Sequence, residues 1–148
     1  MTDVLAPCPG RLIPLTETPD PVFAAEMVGP GVAIDPDPGE VTVLSPIAGK
    51  IVKMHPHAFV VLAPDGVGVL VHLGINTVRL EGKGFEVLAE EGATVAAGDP
   101  MVRWDPGTIA GEGISTMVPV VAMDRPKGSV PPPAAGAVAV TGEVLFTV

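Results

Sequence analysis

The sequence predicts an all-β fold, a sandwich or barrel of short strands with one or two helical turns. Glycine and proline number 18 each among 148 residues. Such breakers recur about every ten residues, a spacing that suits strands joined by tight turns and excludes a helix bundle. The chain is 47% hydrophobic but only 3% aromatic, with no tyrosine, so its core is expected to be aliphatic. Residues 1–148 have the length of a single domain.

Taken in order, the first residues, MTDVLAPCPGRLIPL, carry an early acid and several prolines. They lack the basic start and unbroken apolar run of a secretory signal. No window approaches the ~20 apolar residues of a membrane span. A cytoplasmic protein with no membrane insertion is expected. Cys8, the only cysteine, cannot form an internal disulfide; it is expected in a mobile segment with no base beside it. Strands are predicted over Val41–Leu44 and Lys50–Met54 around the turn SPIAG, and over Ala58–Ala63 and Val67–Leu73 around PDG. A further strand is predicted at Thr77–Leu80. Phe85, Leu88 and Ala89 stand at helical spacing between Gly84 and Gly92, which predicts one or two helical turns over Phe85–Glu90. Ile109–Gly113 is read as a turn at most. Strands follow at Met101–Trp104, Val118–Ala122 and Val144–Val148, and RPKGSVPPPAAG (Arg125–Gly136) reads as a surface connector. Gly39-Glu40, Gly98-Asp99 and Gly142-Glu143 each precede a short apolar strand, either a common turn or a repeated turn-strand unit.

The formal net charge is -9. An acidic chain with few aromatics is a poor holder of a nucleic-acid backbone and does not adhere to anionic membranes.

All three histidines fall in HPHAFVVLAPDGVGVLVHLGINTV, residues 55–78. Read as a hairpin with Pro64 and Asp65 central and Ala63 paired with Gly66, it sets Phe59 opposite Leu70 and His57 opposite His72. Residues opposite each other share a face, with Cβ atoms ~5 Å apart. On this register Ala58, Val60, Leu62, Val69, Val71 and Leu73 face the core. His55, His57, Phe59, Val61, Gly68, Leu70 and His72 line the other side, an apolar surface holding imidazoles. Three readings of the pair remain open: structural histidines, a zinc site drawing on His55, His57 and His72, or nucleophilic chemistry. In the last, one imidazole accepts a phosphoryl group while its neighbour donates to the phosphoryl oxygens. EGKGF lacks the Gly-Lys-Ser/Thr of a P-loop, and neither G-x-S-x-G nor H-E-x-x-H occurs.

Beyond spacing, PDPVFAAEMVGPGVAIDP, VLSPIAGKI, HAF, VHLGINTVRLEGKGF, LAEEGATVAAGD and ISTMVPVVAMD stand in the order and at the intervals of one family. The chain resembles the glucose-class IIA component of the bacterial phosphoenolpyruvate-dependent sugar phosphotransferase system along nearly its whole length. That resemblance implies a mostly antiparallel β-sandwich, a barrel-like hybrid, with a shallow apolar active face. It implies that His72 accepts a phosphoryl group from phospho-HPr and passes it to a IIB domain, with His57 assisting and no cofactor. The family's apolar rim maps onto Phe23, Val28, Leu70 and Val78, with Asp20 at its edge and Asn76 beside it. Two residues depart from the family pattern. Asn76 stands where an Asp is usual, and His55 where a small polar residue is. The resemblance also admits a regulatory protein that binds permeases or kinases according to phosphorylation state, with a zinc held by His57, His72 and a partner's carboxylate. A zinc hydrolase needs His-x-x-x-Asp and a late His-x-His, which are absent, and a biotinyl or lipoyl carrier needs a hairpin-tip lysine, for which Lys50 has no setting.

Overall fold

Frequent glycine and proline keep the strands short; the longest, β5, runs seven residues. The computed structural model describes residues 2–148. Its elements are β1 (Asp3–Leu5), β2 (Gly10–Pro14), the helix α1 (Pro21–Ala24), β3 (Gly31–Pro36), β4 (Val41–Leu44), β5 (Gly49–His55), β6 (Ala58–Leu62), β7 (Gly68–His72), β8 (Phe85–Val87), β9 (Thr94–Val95), β10 (Pro100–Trp104), β11 (Val118–Met123), β12 (Val138–Ala139) and β13 (Val144–Thr147), with single 3₁₀ turns at Leu15–Glu17, Thr77–Leu80 and Pro106–Thr108. An eight-stranded sheet runs β12-β2-β3-β11-β7-β6-β5-β9. A three-stranded sheet, β4-β10-β8, and the pair β1-β13 complete the fold. The pairings are antiparallel, as the resemblance implied.

Alternation along the large sheet sends two sets of apolar side chains to opposite faces. Val32 and Ile34, Phe59 and Val61, Val69 and Val71, and Val120 and Ala122 join Val4, Val43, Met101, Trp104 and Phe146 from the smaller sheets in the main core. The opposite face carries a second, smaller cluster of Leu15, Phe23, Ala33, Ile75 and Val121, with Val28, Leu70 and Met117 packed on it. Leu15 and Phe23 come from the 3₁₀ turn and from α1, so these two elements lie over the outer face.

The hairpin register differs from the expected one by a single residue. Ala58 pairs with His72, Phe59 with Val71 and Val60 with Leu70. The loop holds three residues, not two. Ala63 pairs with Val67, the Gly66 N–H donates to the Ala63 carbonyl at 3.0 Å, and Gly66 takes φ +93°. A type I turn followed by a left-handed residue matches the right-handed twist of the strands, which a bare type I turn does not. One residue of slip exchanges the faces of β6. Phe59 and Val61 are therefore fully buried, and Leu62, expected in the core, is 42% exposed.

Other departures have equally specific causes. Phe85–Glu90 is not helical, because Phe85 lies opposite Trp104 and Glu86 opposite Arg103. The two rings stack at 5.6 Å, and Arg103 bonds Glu86 at 2.8 Å; such cross-strand pairs outweigh helical spacing. Thr77–Leu80 is a 3₁₀ turn and not a strand, bracketed by left-handed residues at Asn76 and Glu81. A hydrogen-bonded turn at Gly111–Ile114 overlaps the expected one at Ile109–Gly113, and a 3₁₀ turn at Pro106–Thr108, capped by Asp105, precedes it. Strands β1, β2, β3, β8, β9 and β12 and the helix α1 were not anticipated from residue pattern.

Cys8 is not in a loose segment: it is fully buried, and burial, with Asp37 adding to it, pushes its thiol up to about 12. The proline-rich connector is mostly exposed, yet its Val130 is buried in the main core. Gly39, Gly98 and Gly142 all have positive φ just before β4, β10 and β13. The repeated turn-strand unit holds within one sheet for β4 and β10 only. Lys50 lies within β5, paired with Leu62 and Thr94, not at a hairpin tip.

The register makes an ordered prediction for stability. Phe59→Ala is expected to cost about 3–5 kcal/mol, against roughly 1 kcal/mol for Leu62→Ala, measured by urea unfolding. The reverse order would mean that the other face of β6 points inward.

Candidate functional site

β7 lies inside the large sheet between β6 and β11, and His72 is its last residue. By alternation His72 follows Leu70 onto the outer face, where it is partly buried beside the Phe23 cluster. The Phe23 ring meets the imidazole edge-on, with centroids 5.4 Å apart. Phe23 is seated by α1, whose N-terminus is set by Asp20. The Asp20 carboxylate accepts from the N–H groups of Val22 at 2.8 Å and Phe23 at 3.4 Å, and Pro21 fills the first helical position.

His57 reaches the same place by another route. It belongs to the two-residue turn Pro56-His57 that joins β5 to β6, with His55 paired to Ala58 across it. In register His57 lies opposite Leu73, whose N–H donates to its carbonyl at 2.6 Å, and not opposite His72 as expected. As a turn residue it is free of strand alternation, and its ring still meets His72, with centroids 5.3 Å apart at 70°. His55, expected outside the pair, stacks on His57 at 5.6 Å and 24°. The side chains thus form a series: His55, His57, His72, Phe23.

The tautomer of His72 follows from one bond. Its Nδ1 is hydrogen-bonded to the Gly74 carbonyl. A carbonyl only accepts, so Nδ1 carries the proton and Nε2 keeps its lone pair. Gly74 has φ +87°, and a Cβ there would lie 2.4 Å from Thr77 Cγ2 and 2.7 Å from the Ser115 carbonyl oxygen. Only glycine fits. Thr77, fully buried, donates its hydroxyl proton to the Leu73 carbonyl at 2.7 Å and closes the same loop.

Burial lowers the pKa of His72, while the Gly74 carbonyl and the Asp20 charge oppose that shift. His57 is pulled down to about 4, first by burial, then by the neighbouring His72 and His55. At neutral pH both rings are free bases. Among the described residues, no group of three or more His, Cys, Asp or Glu side chains is arranged to hold a metal ion. The imidazoles meet by stacking and edge contact instead of converging.

Of the rim expected from sequence, Phe23, Val28 and Leu70 share one cluster. Asp20 is near enough to bias His72, and Val78 is 59% exposed on the 3₁₀ turn after Asn76. Asn76 has φ +62° and turns its side chain toward the Gly113 carbonyl, donating at 2.9 Å. Sequence reasoning missed Gly74, whose only signal was a glycine two residues after His72. It also missed Val22 and Met27, exposed apolar residues on and after α1.

The family model for the phosphoenolpyruvate-dependent sugar phosphotransferase system, EIIA 1, matches residues 2–127. Over 120 residues, 80% of the chain, the sequence is 42% identical to the PTS system glucose-specific EIIA components of Oceanobacillus iheyensis and Bacillus cereus, covering 72% of each. The fold is similar to glucose permease IIA from Mycoplasma capricolum, with TM-score 0.79 and 34% identity over 99% of this chain and 91% of that one. Among the described residues no helix is long and apolar enough to cross a membrane.

The pKa shifts carry a sign that can be tested. A histidine held below its unfolded value of about 6.5 contributes stability in full above that pH and loses it as pH falls toward the folded value. For His57 that window runs from about 6.5 down to about 4. Nitrogen-15 NMR of the imidazoles is expected to give a midpoint near 4 for His57, with unfolding midpoints falling across the same range. A midpoint at 6 or above would show that burial and neighbours do not act on this ring.

Proposed function

The chain belongs to the EIIA 1 family of the phosphoenolpyruvate-dependent sugar phosphotransferase system, and from that premise we propose that His72 is the phosphoryl acceptor and His57 the assisting residue. The observation that carries this is the bond from His72 Nδ1 to the Gly74 carbonyl, which leaves Nε2 as the nucleophile. The donor is phospho-HPr. As the bond from phosphorus to Nε2 forms, the bond from phosphorus to the donor breaks, so that the phosphoryl group is carried without net hydrolysis. Little covalent work falls to the protein in such a transfer; positioning and stabilisation of the oxygens dominate. The 5.3 Å between the ring centroids of His57 and His72 supports the assisting role, in which His57 donates a hydrogen bond to a phosphoryl oxygen. Onward transfer to a IIB domain reverses the step at the same nitrogen.

The docking surface is the outer face around His72, with Phe23, Val28, Leu70 and Val78 as its apolar part and Asp20 at its edge. Val22 and Met27, 43% and 69% exposed, extend it. The formal net charge of -9 favours partners with a basic rim, through electrostatic steering. The protein works in the cytoplasm as one phosphocarrier domain. Pairing of β12 with β2 and of β13 with β1, beyond the 127th residue where the family match ends, supports a single unit.

Labelling from phosphoenolpyruvate with enzyme I and HPr tests the reading. His72→Ala is expected to take up no label, and His57→Ala to accept label but release it slowly to IIB. The phosphate should be acid-labile and base-stable. Normal labelling of His72→Ala would overturn the assignment.

A further inference from the structure

The carbonyl that orients His72 is itself held by a neighbouring segment, Gly111–Ser115. The loop Leu73–Thr77 reaches that segment at two points. Ile75 and Ser115 form a two-bond bridge, with Ile75 N–H donating at 2.8 Å and Ser115 N–H donating at 3.2 Å. One residue on, the Asn76 side-chain amide donates to the Gly113 carbonyl at 2.9 Å. Gly74 immediately precedes both contacts and shares a peptide unit with the Ile75 N–H, its backbone packed against the Ser115 carbonyl and the Thr77 side chain. Segment 111–115 is anchored in turn. Ile114 N–H closes a turn onto Gly111, and Met117, two residues beyond Ser115, packs into the Phe23 cluster.

We propose that Asn76 is a positioning residue for phosphoryl transfer: by donating its amide proton to Gly113 it clamps the Leu73–Thr77 loop, and through the Gly74 carbonyl it holds His72 in the tautomer and orientation that present Nε2. This rests on the reading of His72 as the acceptor. The chemistry selects the amide. Asparagine tolerates a left-handed backbone, and its nitrogen has protons to give. An aspartate fits the same backbone but only accepts, so at this position it faces the Gly113 carbonyl with two acceptors and no bond. The residue that departs from the family pattern is therefore directed into the loop, by an interaction its carboxylate counterpart cannot make.

The test uses the whole chain with nitrogen-15-labelled histidine. Asn76→Gly accepts the backbone angle and deletes the donor. Asn76→Asp keeps the shape and loses the donor. Both are expected to shift His72 from a pure Nδ1–H tautomer toward a mixture. Both are expected to slow single-turnover acceptance from saturating phospho-HPr by about 10- to 100-fold, with the half-saturating donor concentration changed less than twofold. Wild-type tautomer and rate in both variants would overturn the clamp. So would a raised half-saturating concentration at an unchanged saturating rate, which would make Asn76 a partner contact. A loss confined to Asn76→Asp would also overturn it, since the added charge would then be the cause. If Asn76→Gly does not fold, the isosteric Asn76→Asp decides through the tautomer signal. Failure of the acceptor assignment shows separately, as normal labelling of His72→Ala, because the tautomer is read on unphosphorylated protein.

Discussion

The hydrogen bond from His72 Nδ1 to the Gly74 carbonyl is the constraint around which the site is organised. An imidazole has two nitrogens and a rotatable ring, and it carries a phosphoryl group reproducibly only when one nitrogen is committed elsewhere. Both ends of this bond are held by the fold. The ring end stands on β7, paired on both sides by β6 and β11. The carbonyl end lies in a loop that no side chain but glycine's hydrogen could enter at position 74. The β7 backbone supplies one fixed point and the left-handed turn after it supplies the other, two residues apart.

Electrostatics then assign the neighbours. His57 is held near 4 by burial and by two adjacent imidazoles, so in the proposed transfer it would meet an incoming phosphoryl group as a neutral ring. On the proposed assignment, a phosphoryl group on His72 would reverse one of those influences. A dianion on His72 favours the protonated form of His57, where an imidazolium at His72 would oppose it. The low surrounding polarity enlarges that effect. A ring that stays neutral in the free protein and gains affinity for a proton only when the phosphoryl group is present stabilises the loaded state selectively. On His72 the balance differs, because the Asp20 charge and the Gly74 carbonyl both oppose the effect of burial.

Much of this was legible in the sequence, and the part that was not has a consistent cause. The fold class, most central strands and the His57–His72 neighbourhood followed from breaker spacing, aliphatic runs and family motifs. The inward face of β6 did not. Whether PDG closes a two- or three-residue loop turns on φ at Gly66, and one residue decides which side of β6 is buried. His57 met His72 in spite of the wrong register, because a turn residue does not obey the alternation used to place it. The strand at Phe85–Val87 was hidden because its stabilising partners, Trp104 and Arg103, lie far along the chain. Gly74 carried only its place two residues after His72: its role depends on the carbonyl it offers and on Ser115 and Thr77 packed around it.

The two-faced character of the large sheet explains how a polar reaction can sit in apolar surroundings without being sealed off. β7 buries Val69 and Val71 in the main core and turns Leu70 and His72 to the other side, so its sequence is apolar nearly throughout, as expected for a strand covered on both faces. The cover on the outer side is small. α1 has only four residues, too short to persist as a helix alone, and it stays in place through the Asp20 cap and the insertion of Phe23 beneath it. That cover buries one side of His72 and leaves the rest of the face open, with Val22, Met27 and Val78 exposed around it. A longer helix would cover more of the site, whereas no helix would remove the Phe23 ring from His72 and leave the imidazole more hydrated. Asp20 couples the two requirements, since the carboxylate that starts the helix also biases the imidazole the helix covers.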